Sequence, residues 1–235
     1  MTRVVLFDLY ETLVTERERI LAPTPANVER LDIDSKTFGA EFRARREKRF
    51  TGGFPDYASV LTDICVAMDV PVDPALIGRI EERRLAEYAQ VLRQAEPEVL
   101  NMLREIRLMG LKTGLVSNVS PEEMTGWEGS PLSGLMDAVV FSCRAGVMKP
   151  DPEIYRIACN ELGAEPQDCI YVGDGGSDEL PAASAIGMAP YCAMWFIDRY
   201  PEQIRRDHNL RWNVDFPKLR TPAELTAAVS AQLSG

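Results

Sequence analysis

The chain has 235 residues, enough for one large domain or for one domain carrying a smaller insertion, and can bury about 70% of its unfolded surface without staples. With 26 basic against 36 acidic residues its formal net charge is −10, which argues against nucleic acid or an anionic membrane as a partner and leaves room only for a local positive pocket. The five cysteines (Cys65, Cys143, Cys159, Cys169 and Cys192) are odd in number and not spaced as a metal knuckle, so they read as reduced, buried thiols of a cytoplasmic protein. The N-terminus lacks a basic-then-apolar signal, and no apolar run approaches membrane-spanning length. The single histidine, His208, sits in the charged run Arg205-Arg206-Asp207-His208, a solvated surface stretch. It cannot supply a His-based zinc site, and a catalytic triad built on it is not expected. There is no Walker-type Gly-Lys-Ser/Thr and no Gly-x-Ser-x-Gly elbow. Chemistry is restricted to carboxylates, hydroxyls and lysine.

Val4-Val5-Leu6-Phe7 reads as a short buried strand that runs straight into an acid, Asp8. Taken alone, Asp8 could equally be a helix N-cap or a turn residue. From Thr15 to Glu96 the pattern is helical throughout. Thr24-Pro25 is a cap, Ser35 opens a helix with Phe38, Phe42 and Phe50 on its apolar side, and Gly52-Gly53-Phe54-Pro55 breaks it. Val60, Leu61, Ile64, Val66 and Ala67 carry a further helix, and after Pro71 and Pro74 another runs to about Ala95. Residues 15–96 therefore read as an all-helical insertion between residues 1–14 and 97–235. Beyond Pro97 the rhythm changes. A helix (Val99, Leu100, Leu103, Ile106) stops at Gly110, and strands follow at Lys112–Ser117, Ala138–Phe141, Ile170–Gly173 and Pro190–Met194. Helices at Pro152–Leu162 and Leu180–Ile186 alternate with them, and Pro222–Leu233 closes the chain. Such alternation predicts an α/β fold, a doubly wound parallel sheet with right-handed crossovers, interrupted after its first strand by a helical cap.

In a parallel sheet the strand ends share one edge, where ligands bind. That edge collects Asp8, Ser117-Asn118, Lys149 in Val147-Met148-Lys149-Pro150, and Gly173-Asp174-Gly175-Gly176-Ser177-Asp178. Two aspartate clusters, a hydroxyl and a lysine suit a divalent metal and a phosphoryl group. Carboxylates hold a hard cation, lysine is a point charge, and glycines bring N–H groups near anionic oxygens.

This set resembles the haloacid dehalogenase (HAD) superfamily of hydrolases along the whole chain. Asp8 and Thr12 match its Asp-x-x-x-Thr first motif, Ser117 its second, Lys149-Pro150 its third, and Gly173-Asp174 with Asp178 its fourth. The resemblance implies that Asp8 is a nucleophile forming an aspartyl-phosphate. It implies Mg²⁺ held by Asp8, the Tyr10 carbonyl and Asp174, with Asp178 orienting that shell. Thr12, Ser117 and Asn118 would serve the phosphoryl group, and Lys149 would neutralise it. The expected reaction is hydrolysis of a small phosphorylated metabolite by a monomer or homodimer.

Tyr10 departs from the pattern, since family phosphatases carry an acid there to protonate the leaving group. A phenol with its ordinary pKa near 10 is a poor base at neutral pH. Tyrosine at this place resembles the 2-haloacid dehalogenase branch, where halide leaves without a proton. The acid at Asp174 opposes that alternative, because that branch works without metal. A third reading, a catalytically weak binding or regulatory member, follows from Tyr10 and is opposed by Asp8, Lys149, Asp174 and Asp178. In the cap, Arg43 or Arg45 of the cationic run 43–49 is expected to bind a second anionic group on the substrate, with Arg17 and Arg19 as weaker candidates. Glu11, where a small residue or Asn is commoner, has no account from sequence.

Overall fold

The structure is a computed structural model that describes residues 2–21, 31–203, 205 and 215–234. The Thr24-Pro25 cap and His208 lie outside these residues. Six strands form one all-parallel sheet: β1 (Val4–Phe7), β2 (Lys112–Ser117), β3 (Ala138–Phe141), β4 (Cys169–Gly173), β5 (Ala189–Ala193) and β6 (Lys218–Leu219). Their order is β3-β2-β1-β4-β5-β6. The chain thus winds outward on one side of β1 through β2 and β3, then returns to wind outward on the other side from β4. The direction of winding reverses between β1 and β4, and a crevice opens at that point of a doubly wound sheet.

Alternation along β1 sends Val5 and Phe7 to one face and Val4 and Leu6 to the other. The first face packs under α6 (Pro97–Leu108) and the C-terminal helix, α10 (Pro222–Ser234); the second under α8 (Pro152–Leu162) and α9 (Glu179–Ala185), and the short α7 (Ser142–Ala145) follows β3 directly. Both faces are covered, which is why the central strands are continuous apolar runs rather than alternating ones.

The insertion after β1 is helical: α1 (Arg17–Leu21), α2 (Ser35–Ala44), α3 (Arg46–Phe50), α4 (Tyr57–Ala67) and α5 (Pro74–Arg93). Asp34, Asp56 and Asp73 cap α2, α4 and α5 by accepting main-chain N–H bonds. The insertion has its own apolar cluster around Phe38, Tyr57, Leu61, Ile64 and Ile77, whereas Leu92 at the end of α5 packs into the sheet's core. One helix from Ser35 to the glycine pair was expected; the chain instead breaks at Arg45, starting the short helix α3. Only the two-residue β6 was missed among the strands, being too short to show a pattern. The five cysteines are free thiols, four of them buried. Among the described residues no helix is long and apolar enough to cross a membrane.

Gly114 in β2 lies against α8: a Cβ there would sit 2.7 Å from Leu6 Cδ2 and 2.9 Å from Leu162 Cδ1. Gly114→Ala should therefore cost about 1–3 kcal/mol through overpacking. Urea unfolding should show a lower midpoint at an unchanged slope.

Candidate active site

Asp8 is the first residue beyond β1, and its N–H donates to the Val172 carbonyl at 2.9 Å, so β4 fixes its height at the sheet edge. On either side stand the ends of β2 (Ser117, buried) and β4 (Gly173, followed by Asp174). Lys149 reaches this edge from the segment between β3 and β4, and its side chain is 2% exposed. Its ammonium donates to Asp8 Oδ1 at 2.6 Å, Glu179 Oε2 at 2.5 Å and the Tyr171 hydroxyl at 3.1 Å. All three ammonium protons are thereby used. Tyr171 donates in turn to Glu179 Oε2 at 2.8 Å, and the Gly175 N–H donates to Glu179 Oε1 at 3.0 Å.

Burial works against the Lys149 ammonium, but the Asp8 and Glu179 carboxylates outweigh it and hold its pKa above the ordinary lysine value. Glu179 is pushed up to about 8, first by burial and then by the Asp8 and Asp174 charges, against the pull of Lys149. Among the described residues, Asp8, Asp174 and Glu179 form an acidic group whose oxygens lie within 4.8 Å of one another. Three carboxylates and one ammonium leave excess negative charge, and oxygen donors are what a hard divalent cation takes. Asp8 and Asp174 fit best as direct ligands. Glu179 already accepts from Lys149, Tyr171 and Gly175, so it fits as the group that orients the others.

Sequence reasoning expected Asp178 in that orienting role, but Asp178 is exposed and Glu179 is the buried acid. Ser177 (φ 57°) and Asp178 (φ 51°) both occupy the left-handed region, so the chain twists as it enters α9 and presents the next residue inward. The adjacent acids Asp178-Glu179 were the available signal.

The Asn118 side chain clamps the Lys149 main chain: Lys149 N donates to its Oδ1 at 2.7 Å and its Nδ2 donates to the Lys149 carbonyl at 2.9 Å. Its observed task is thus to place Lys149. Thr12 is fully buried; its carbonyl accepts from Trp195 Nε1 at 2.9 Å, while its hydroxyl has no partner among the described residues. The Tyr10 hydroxyl donates to the main-chain carbonyl of Glu123, and its ring meets Tyr88 of α5 edge-on at 5.9 Å.

Neither expected cap arginine turns inward. Arg45 is bound within the cap to Glu41 and Asp63, each at 2.6 Å, and Arg43 is exposed along its own helix. Arg17 donates to the Arg199 carbonyl at 3.0 Å on the surface. The arginine that sequence reasoning passed over is Arg49 of α3, only 4% exposed. Its Nη2 lies 3.5 Å from Ser120 Oγ, 3.4 Å from Glu123 Oε1 and 3.9 Å from Glu122 Oε1. Burial draws its pKa below the ordinary arginine value, and Glu123 and Glu122 only partly offset this. Arg46, also on α3, donates to Ser177 Oγ at 2.7 Å, so this short helix touches the loops beyond both β2 and β4.

Glu11 has φ 58°, a costly conformation outside glycine, and its side chain shows what holds it there. Its carboxylate accepts from Glu16 N at 2.8 Å and from the Thr15 and Tyr200 hydroxyls, each at 2.9 Å. Burial pushes its pKa up to about 7.

A doubly wound sheet with a buried acid, a buried lysine and an acidic turn at its switch point is an α/β site suited to a cation and an anionic group. A family model described as haloacid dehalogenase-like hydrolase matches residues 2–187, and the chain belongs to that family. It is 26% identical over 205 residues to a glyceraldehyde 3-phosphate phosphatase of Pyrococcus abyssi, covering 83% of this chain and 82% of that protein. It is 28% identical over 130 residues to the rhythmically expressed gene 2 protein of Drosophila melanogaster, covering 52% of this chain but only 50% of that protein. The chain thus spans about half the length of that relative. The L-2-haloacid dehalogenase of Xanthobacter autotrophicus, solved with chloropropionic acid covalently bound, superposes with a TM-score of 0.65 at 18% identity. That match covers 98% of this chain and 99% of the other, and it speaks for the fold.

Lys149→Met should destabilise the protein by about 3–5 kcal/mol, because it strands two buried carboxylates; chemical denaturation measures this. A second expectation concerns pH. The folded state raises the Glu11 pKa from 4.5 to about 7, so its contribution is complete below pH 4.5 and is lost as pH rises through 7. Unfolding free energies of the wild type minus those of Glu11→Gln should therefore fall across that interval and level off above it.

Proposed function

We propose that the chain is a Mg²⁺-dependent phosphatase of a small phosphorylated metabolite, working through an aspartyl-phosphate on Asp8. The convergence of Asp8, Asp174 and Glu179 carries this reading. Three acids around one lysine would repel a haloacid's own carboxylate, whereas they suit a cation that screens an incoming phosphate. The phosphatase names borne by relatives such as that of Pyrococcus abyssi support the same choice.

In this reading an Asp8 oxygen attacks phosphorus and the bond to the leaving oxygen breaks. Water then attacks the aspartyl-phosphate, releasing phosphate and restoring the carboxylate. Lys149 keeps Asp8 ionised and offsets charge on the transferring group. The buried Ser117 and Thr12 hydroxyls and the main chain at Asn118 bind phosphoryl oxygens. Asp8, the Tyr10 carbonyl and Asp174 would hold Mg²⁺, with Glu179 orienting them, and the ion would supply Lewis-acid charge stabilisation. The helical insertion, residues 15–96, acts as the cap that excludes water and selects substrate. The reading extends to a cytoplasmic enzyme, monomeric or homodimeric.

Tyr10 favours one second reading, a 2-haloacid dehalogenase. Its hydroxyl is engaged with the Glu123 carbonyl, and displacement of halide needs no proton. The same engagement shapes the phosphatase reading: leaving groups that depart without protonation should be turned over best.

Phosphate release from an aryl phosphate should require Mg²⁺ and vanish with EDTA or in Asp8→Asn. Tyr10→Asp should raise the ratio of alkyl to aryl phosphate hydrolysis by about 10²-fold or more, the usual size of general acid help. Chloride release from 2-chloropropionate without metal, with no phosphate release from any ester, would select the dehalogenase instead.

A further inference from the structure

The loop that follows β2 carries a cluster that the proposed chemistry does not use. Glu123 stands at its centre with every acceptor occupied by a different part of the molecule. Its Oε2 accepts from the Ser120 N–H at 3.0 Å, closing the loop on itself. Its Oε1 faces two cap helices, accepting from the Tyr88 hydroxyl at 3.3 Å and lying 3.4 Å from Arg49 and 3.7 Å from Arg84. Its main-chain carbonyl accepts from Tyr10, two residues beyond Asp8. Beside it, Glu122 is buried and 3.4 Å from Arg84 Nε.

Arg49 is a buried cation that the cap contributes to this cluster. Its guanidinium lies 3.6 Å from the Phe42 ring centroid, while Nη2 faces Ser120 and Glu123. The glycine pair after α3 lets the backbone come close: a Cβ on Gly52 would collide with the Cys143 carbonyl beyond β3. One line of contacts thus runs from cap to loop through Arg49 and from loop to the turn after β1 through the Tyr10 hydroxyl, beside the direct edge-on contact of the Tyr10 ring with Tyr88. Ser142, which takes part in bonds to both the N–H and the carbonyl of Val119, anchors the loop's other end to the sheet, so a displacement of Glu123 is passed on rather than absorbed.

We propose that Arg49 is a positioning residue for the nucleophile: docking its guanidinium on Ser120 and Glu123 holds the turn that carries Asp8, with Tyr10 as the link. The idea gives Asp8 the role assigned above, but its test needs no turnover, so failure of the phosphatase reading and failure of this one are separate results.

The turn and the loop both contain protected amides, since Leu13 N and Val14 N bond to the Leu9 carbonyl and Thr125 N bonds to Glu122. Hydrogen–deuterium exchange of the full chain reads them directly. Arg49→Met should speed exchange by about tenfold in three separated segments, 46–53, 119–125 and 9–14, while β1, β4 and β5 keep wild-type rates. Arg49→Lys, which keeps the charge and loses the fork, should show a smaller rise in the same three segments and carries the test if the methionine variant does not fold. Tyr10→Phe should release 9–14 and leave 46–53 protected, and adding Arg49→Met to it should not release 9–14 further. Arg45→Met, whose partners lie inside the cap, should leave 9–14 unchanged. Faster exchange everywhere, a rise confined to 46–53, or release of 9–14 by Arg45→Met to the same extent would each overturn the proposal.

Discussion

A single ammonium group, that of Lys149, organises the catalytic edge. Bringing it out of water is costly, and the cost is met only because all three of its protons find oxygens and two of those oxygens are charged. This demand fixes the neighbours. Asp8 must stand at the end of β1, Tyr171 inside β4, and Glu179 just beyond β4, and only the sheet order β2-β1-β4 sets these side by side. Asn118, at the end of β2, grips the Lys149 main chain from the other side. Four stretches distant in sequence are thereby tied to one charge.

The balance is incomplete by design of the residues present. Lys149 bonds two carboxylates, those of Asp8 and Glu179, and Asp174 brings a third acid within 4.8 Å of them. Burial is the main reason the Glu179 and Glu11 pKa values are raised, and the Asp174 charge adds to both. Acids held together with raised pKa values mark a candidate functional site.

The α/β architecture was legible because buried parallel strands are continuous apolar runs, as Val4–Phe7 and Cys169–Gly173 are, and because Gly110, Gly163 and Gly187 mark where helices stop. Asp8, Lys149 and Asp174 were legible for a related reason, since the end of a parallel strand points to the site. Other features depended on facts that no local pattern carries. Glu179 replaces Asp178 because two successive residues adopt left-handed backbone, which shifts the count by one. Arg49 replaces Arg43 and Arg45 because Glu122 and Glu123, over seventy positions away, supply its partners while Glu41 and Asp63 claim Arg45. Helical periodicity gave a face of α2 but not the break at Arg45 that rotates α3. Glu11 looked anomalous until Thr15, Glu16 and Tyr200 were seen to hold it.

The two charge clusters differ in a way that bears on how an anion could enter. At the cap contact, Arg49 and Arg84 face Glu122 and Glu123, so that interface is balanced and lends little positive potential to the mouth. Arg46 does sit at the rim beside Ser177, but it is exposed and therefore screened by water and salt. An anionic substrate approaching the bare protein meets Asp8 and Asp174 before it meets Lys149 and Glu179, which are more deeply buried. Arginines that could have attracted it are spent on holding cap and loop together.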